Sequence, residues 1–379
     1  MTSYSMNTEF EGGIRIAAPT PALAAVSLKE LRHYIASLDL KHEIVQRHAD
    51  GDATITLAPS ESLWERALHA GGTIDLADTL GLRTTESEAD LDREILLSML
   101  ACPVAFEFPD FEELLSAVRI RRRIVQAARR TALAFDTEAA ERPPGYWTYD
   151  TERGFTILPG KSFIKALQQA TQPEDSGRLY AFSCYRATEY VTVLGIAQEL
   201  EQVNPGLYDA LQRQWETRAI MSGRFHEVFL REYGSLDQPL PPGYYVPGDR
   251  LWFRNPDARS SNIEGYEGSW VFYLGSGLFN NFWKRDQPYT LTAKCVEIYH
   301  WRHGAYETAD GKLAMDESVV EARSAATLAD PQETARVLAR MLRIRDPQGV
   351  YEEGGCIDAT RECARWVRPH TSDIVLPDV

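Results

Sequence analysis

Tyr180-Ala181-Phe182-Ser183-Cys184 is the stretch on which the fold turns. An apolar, aromatic run ends in one cysteine. Ser183 is of helix-capping type, because its short oxygen can accept a backbone N–H of the first turn. A helix is therefore expected over Cys184–Gln202, with Ala187, Val191, Leu194 and Ile196 among its apolar positions. A thiol at a helix start sits at the positive end of the dipole, which favours the thiolate, and the thiolate is the nucleophile. Asn204-Pro205-Gly206 ends this helix, and another is expected over Leu207–Thr217.

Downstream, strands are expected at Arg250–Arg254, Ser269–Leu274 and Tyr289–Tyr299, with Gly275-Ser276-Gly277 as a turn. A helix follows over Glu333–Arg343, and Cys356–Trp366 reads as a last short helix. A cysteine helix followed by antiparallel strands is the order of an α+β cysteine enzyme with a papain-like or NlpC-P60-like core. Upstream, residues 1–25 read as a loose tail with two prolines, and Ser27 caps a helix through Leu38. His42–His48 and Ala53–Leu57 form a hairpin around Asp50-Gly51-Asp52, and Ser60–Ala70 is helical. An acidic loop over Thr84–Asp92 leads into a helix over Leu91–Leu100. Residues 1–100 thus read as an N-terminal α+β extension, and 101–379 as the catalytic part. Pro109 and Asp110 open a strong helix on which Phe111, Leu114, Leu115, Val118, Val125 and Ala128 recur at helical spacing. Its six arginines, Arg119 to Arg130, read as a solvated face, with a phosphate patch as the alternative. Tyr146–Tyr149 and Gly154–Leu158 read as paired strands, and Ser162–Ala170 as a helix.

Composition narrows the function. The 379 residues carry a net charge of −15, which argues against general nucleic-acid binding, since that needs a basic footprint. No apolar run of about eighteen residues suggests a membrane span. The N-terminus lacks the basic-then-apolar plan of a secretory signal, so a cytoplasmic protein is expected as synthesised, with signal-less export left open. Five cysteines at wide spacing, Cys102, Cys184, Cys295, Cys356 and Cys363, suit a reduced compartment, and no C-x-x-C pair calls for zinc.

Several ordered blocks over about residues 102–285 resemble the bacterial, spore-coat type protein-glutamine gamma-glutamyltransferase family. They are Pro103-Val104-Ala105-Phe106, Tyr146-Trp147, Tyr180-Ala181-Phe182-Ser183-Cys184, Gly248-Asp249-Arg250-Leu251-Trp252-Phe253-Arg254-Asn255-Pro256, and Gly265-Tyr266-Glu267-Gly268-Ser269-Trp270-Val271-Phe272-Tyr273-Leu274-Gly275. The resemblance implies a transglutaminase, a transferase that makes isopeptide bonds through a Cys184 thioester or deamidates glutamine. It implies a protein glutamine donor, a lysine or small-amine acceptor and no cofactor. Two departures stand out. Ser183 occupies the place of a family glutamate before the nucleophile, and Ser269 that of the acid that pairs with it. A family histidine falls near Phe282, and Tyr266 replaces a family tryptophan that helps form the substrate tunnel.

The proton-transfer group is therefore open. Glu267 lies two residues before the lost acid, and on a strand i and i+2 share a face. His300 and His303 follow the cysteine in the order of papain-like folds; a structural pair and a metal pair are the other readings. Asp249 and Asn255 read as orienting or bracing residues, with a plain turn role also open for Asp249. Tyr185, Trp252, Tyr266 and Trp270 are candidate walls of a dry tunnel in which an amine outcompetes water. Three uses remain: a cross-linking or deamidating enzyme, an effector or biosynthetic amide-forming enzyme on the same fold, and a binding module that lost the glutamates. The extension suits a cover over the cleft or a site for an inhibitory or activating protein.

Overall fold

The computed structural model describes residues 12–48, 51–68, 72–135, 140–220, 222–346 and 354–377; residues 1–11 of the expected tail, Asp50 of the expected turn and Ala70 lie outside them. Arg250–Arg254 and Gly268–Gly275 carry the near-continuous apolar runs of strands covered on both faces, and they form the centre of a six-stranded antiparallel sheet. The spatial order is Tyr289–Thr290, Leu278–Phe279, Gly268–Gly275, Arg250–Arg254, Arg361–Ala364, Leu230–Tyr233. The register Trp252↔Trp270 and Arg250↔Phe272 puts these four side chains on one face. Leu251, Phe253, Val271 and Tyr273 take the other.

Each face has its own apolar layer. The Phe272 face packs on the helices Phe111–Arg130 and Cys184–Val203, through residues such as Val118, Ile124, Val191 and Leu194. Those two helices approach closely at Gly195, where a Cβ would lie 2.7 Å from Ile124 Cγ1. The opposite face packs on the helices Leu291–Gly304 and Pro331–Met341, through Cys295, Val296, Ile298, Val337 and Met341. A second sheet, in the order Ile44–Arg47, Thr54–Pro59, Ile14–Ala17, Phe106–Phe108, joins the first layer. Its last pair is parallel, so Ile14 beside Phe106 stitches the N-terminal segment to the start of the Phe111 helix. Ile14, Leu31 and Ile55 share one continuous core with Val118 and Leu194. The whole is a mixed α+β architecture.

Several sequence expectations hold. The Cys184 helix runs Cys184–Val203 behind Ser183, and the Phe111 helix starts behind Asp110. Ile44–Arg47 and Thr54–Pro59 pair, as do Trp147–Asp150 and Gly154–Ile157. Four differ. The first helix begins at Pro21 behind Thr20, because proline at the first helical position needs no N–H partner, so the expected tail contains a helix start. Tyr289–Tyr299 is a strand only at Tyr289–Thr290; from Leu291 it is a helix capped by the Thr290 side chain. Cys356–Trp366 holds the strand Arg361–Ala364, paired with Leu230–Tyr233 far away in sequence. Most of the six arginines of the Phe111 helix pair with carboxylates of other segments rather than forming a plain solvated face: Arg121 with Asp249 at 2.6 Å, Arg122 with Asp92 at 2.7 Å, Arg123 with Glu199 and Arg130 with Asp175 at 3.1 Å.

Candidate active site

The strand Gly268–Gly275 sets the site. Leu278–Phe279 pairs only with its far end, at Tyr273 and Gly275. Toward Gly268 this edge carries no named strand, so its backbone donors need other partners. The Phe272 N–H takes the Asn280 side-chain oxygen at 2.5 Å. Two residues earlier, the Trp270 N–H lies on the same edge, and it is one of the backbone groups that draw the Cys184 thiol down; the Tyr185 N–H, in the first turn of the Cys184 helix, is another. Ser183 closes the start by accepting the Arg186 N–H at 3.3 Å.

Cys184 is partly buried and lines a cavity of about 590 Å³. Burial raises its thiol above the ordinary value. The Trp270 and Tyr185 N–H groups and the charges of Lys294 and Arg250 pull it back down. The two cations come from opposite faces of the sheet. Arg250 lies under the helix start, donating to Thr188 Oγ1 at 2.8 Å, stacking 3.9 Å from the Trp270 ring centre and pairing with Glu362. Lys294, from the Leu291–Gly304 helix, is buried in the wall of the same cavity. Its Nζ donates to Glu297 Oε2 at 2.8 Å and sits 3.6 Å over the Tyr289 ring. Glu297 and Tyr289 line the cavity too.

Aromatic residues complete the walls. Trp252 and Trp270 stack with centroids 5.7 Å apart and planes 8° from parallel, and Tyr185 meets Trp270 edge-on at 5.2 Å. Tyr266 lies edge-on to Trp301 and donates to Glu317 Oε1 at 2.7 Å, and both Tyr266 and Glu317 line the cavity. Of the four expected tunnel residues, Tyr266 and Trp270 line the cavity, and Tyr185 and Trp252 back Trp270. Asn280 also lines it; its Nδ2 is buried with no hydrogen-bond partner among the described residues.

The other expected residues divide. Ser269 lines the cavity. Glu267 is exposed, and its carbonyl accepts the Asn255 N–H at 3.0 Å; its residue is not part of the cavity wall. The strand begins only at Gly268, so the i, i+2 relation does not carry Glu267 inward. His300 and His303 lie on the helix, not at a strand end, and face a separate small cavity with Arg323, Thr327 and Glu333. His300 Nε2 meets Thr327 Oγ1 at 2.8 Å and its Nδ1 meets His303 Nδ1 at 3.0 Å. That is the structural pair, not a partner for the thiol. Phe282 lines the Cys184 cavity. Asp249 is fully buried, holding Arg121, the Tyr233 hydroxyl and the Val246 N–H. Asn255 ties the loop before Gly268 to Ser260 and to the Tyr266 carbonyl at 2.8 Å. Both brace the strand pair and neither meets the sulfur.

Sequence reading missed Lys294 and Glu297. Three residues apart, they share a helix face but fall on opposite faces of a strand. The one group of described residues whose geometry could hold a metal is His226, Glu232 and Glu362, with ligand atoms within 4.8 Å of one another; it lies apart from the Cys184 cavity.

The profile of the family described as Protein-glutamine gamma-glutamyltransferase matches residues 74–376. The chain belongs to that family. The match extends the likeness beyond both ends of the blocks visible by eye, into the helix before Cys102 and through the C-terminal strand. Family membership makes the chain an acyltransferase that acts on protein glutamine, a chemistry that uses a cysteine nucleophile. Among solved structures, a transglutaminase from Geobacillus stearothermophilus (without C-terminal extension) is similar at 21% identity and a TM-score of 0.40, covering 57% of this chain and 98% of that chain. No curated protein matches. No helix among the described residues is long and apolar enough to cross a membrane.

Proposed function

We propose that this transglutaminase forms its thioester on Cys184. Cys184 is the cysteine in the chain that combines a helix N-terminus, partial exposure and a lined cavity. Cys102, Cys295 and Cys356 are buried, and burial raises Cys363 as well as Cys102 and Cys356. A thiolate at Cys184 attacks the glutamine carboxamide, ammonia leaves, and an amine or water resolves the thioester. The single observation that carries this reading is the place of Cys184, which opens a helix and lines a cavity large enough for a side-chain carboxamide and an alkyl amine. The Trp270 and Tyr185 N–H groups, which draw the thiol down, are the donors this reading assigns to the thiolate and then to the oxyanion.

The arrangement of a cysteine helix on an antiparallel sheet supports a papain-like core. The aromatic walls, Tyr266 and Trp270 foremost, favour an amine over water by keeping the thioester dry. The acceptor is then a protein lysine or a small alkyl amine, and the glutamine donor a protein side chain. Incorporation of a dansylated alkyl amine into a glutamine-rich casein tests the assignment. Cys184→Ala should abolish incorporation, while Cys363→Ala leaves it near the wild-type rate. Full incorporation by Cys184→Ala would end it.

A further inference from the structure

Transfer from glutamine needs a group that gives a proton to the departing nitrogen and takes one from the incoming amine. Ser269 stands where the family's blocks carry an acid, Glu267 is outside the cavity, and the two histidines face elsewhere. The cavity wall nevertheless contains an ion pair whose cation is buried and whose carboxylate is half-buried. Lys294 is 3% exposed, and its Nζ is held by Glu297 at 2.8 Å and by the Tyr289 face at 3.6 Å. The Tyr289 hydroxyl reaches Glu297 Oε1 at 3.4 Å, so the carboxylate is fixed from both sides. A buried ion pair seldom adds net stability over apolar side chains of the same size. This one lines the same cavity as the proposed nucleophile.

Resting on the assignment of Cys184 as nucleophile, we infer that Lys294 is the proton-transfer residue of this enzyme and Glu297 its positioning partner, a catalytic pair carried on a helix in place of the acid missing from the strand. In the first half-reaction the Cys184 thiolate bonds to the glutamine carbonyl carbon and the C=O electron pair moves onto oxygen. The C–N bond then breaks as the Lys294 ammonium gives a proton to the departing nitrogen. Ammonia leaves, and a neutral Lys294 amine stays beside the thioester. In the second half-reaction an acceptor amine in its neutral form attacks the thioester carbon and Lys294 takes its proton. Cys184 departs as thiolate, and the ammonium is restored beside it. The charge cycle is self-consistent. Lys294 is cationic while the sulfur is anionic, and it gives up its proton only to the nitrogen that leaves. Burial lowers its proton affinity, but Glu297, Tyr289 and the Cys184 anion together outweigh burial and hold the ammonium above its ordinary value; acylation removes the last and smallest of these. Arg250, on the other face, adds a second positive charge that lowers the Cys184 thiol. Lys284, Glu317 and Glu321 also line the cavity; Lys284 is paired with Glu321, and Glu317 takes the Tyr266 hydroxyl.

Two substitutions separate charge from proton transfer. Lys294→Arg keeps a cation beside the thiol, whereas Lys294→Met removes it. The rate of Cys184 alkylation by iodoacetamide across pH 5–10 reads the thiolate, and amine incorporation into casein reads turnover. The expectation for Lys294→Arg is an alkylation profile close to wild type with kcat lower by about 100-fold or more. Lys294→Met is expected to lose turnover to the same extent and to shift the alkylation profile to higher pH. Glu297→Gln should cost about 10-fold in kcat with KM little changed, since the lysine remains but is less well held. Lys294→Arg alone suffices if Lys294→Met does not fold. Wild-type turnover by Lys294→Arg would overturn the inference and leave Cys184 standing. Turnover by Cys184→Ala, run in parallel, would overturn the nucleophile assignment itself.

Discussion

At the scale of single residues, identity and environment separate. His300 and His303 have the chemistry of a general base, and Lys294 is rarely one; yet position assigns the opposite roles. Burial first, then the His303, Arg323 and Arg302 charges, hold His300 at about 4, with Glu333 opposing. A histidine held neutral in this way supports the native state above the pH at which the unfolded chain binds its proton, near 6.5. As pH falls from there toward 4, the unfolded chain takes up a proton that the native His300 refuses, and stability is lost. The buried carboxyls Glu94 and Asp92, raised by burial to about 7 and about 6, act in the opposite sense over the same window. The net curve is therefore mixed, but the histidine's part is separable. The Tm of His300→Gln minus that of wild type should rise steadily between pH 7 and 4.5 in differential scanning calorimetry. A constant difference would show that His300 is not held neutral.

At the scale of elements, the site depends on how closely two strands meet. A Cβ at Gly268 would lie 2.2 Å from the Trp252 Nε1 and 2.5 Å from the Phe253 carbonyl oxygen. The side chain could yield, but the strand backbone cannot move without shifting Trp270, which lines the Cys184 cavity. Gly268→Ala should therefore lower amine incorporation about 10-fold or more and slow Cys184 alkylation, while circular dichroism stays native. The elements also show what sequence can reveal. The Cys184 helix was legible because a capping serine, apolar spacing and a stop signal agree. The strands at Arg250 and Gly268 were legible from their short apolar, aromatic runs. The segment after Tyr289 was not. Cys295-Val296, Ile298 and Tyr299 have strand-like propensity, although Leu291, Cys295 and Ile298 already repeat at helical spacing behind Thr290. That misreading concealed the pair, since only a helix puts Lys294 and Glu297 on one face. Arg361–Ala364 was hidden for another reason: its strand state comes from partners more than a hundred residues away.

At the scale of the whole molecule, one sheet gathers the chemistry from both of its faces. The Cys184 helix comes from one apolar layer, the Lys294 helix from the other, and they meet where the edge of Gly268–Gly275 is left open. The N-terminal sheet stands behind the first layer, sharing its core with the Phe111 helix. It shares that core with the Cys184 helix and contributes no residue to the cavity. Mixing the intact protein with a blocked glutamine peptide, without acceptor amine, and quenching in acid before mass spectrometry tests this arrangement most directly. The acyl group should be found on Cys184, with one ammonia released for each adduct. Acylation of another residue, or ammonia released by Cys184→Ala at the wild-type rate, would contradict it.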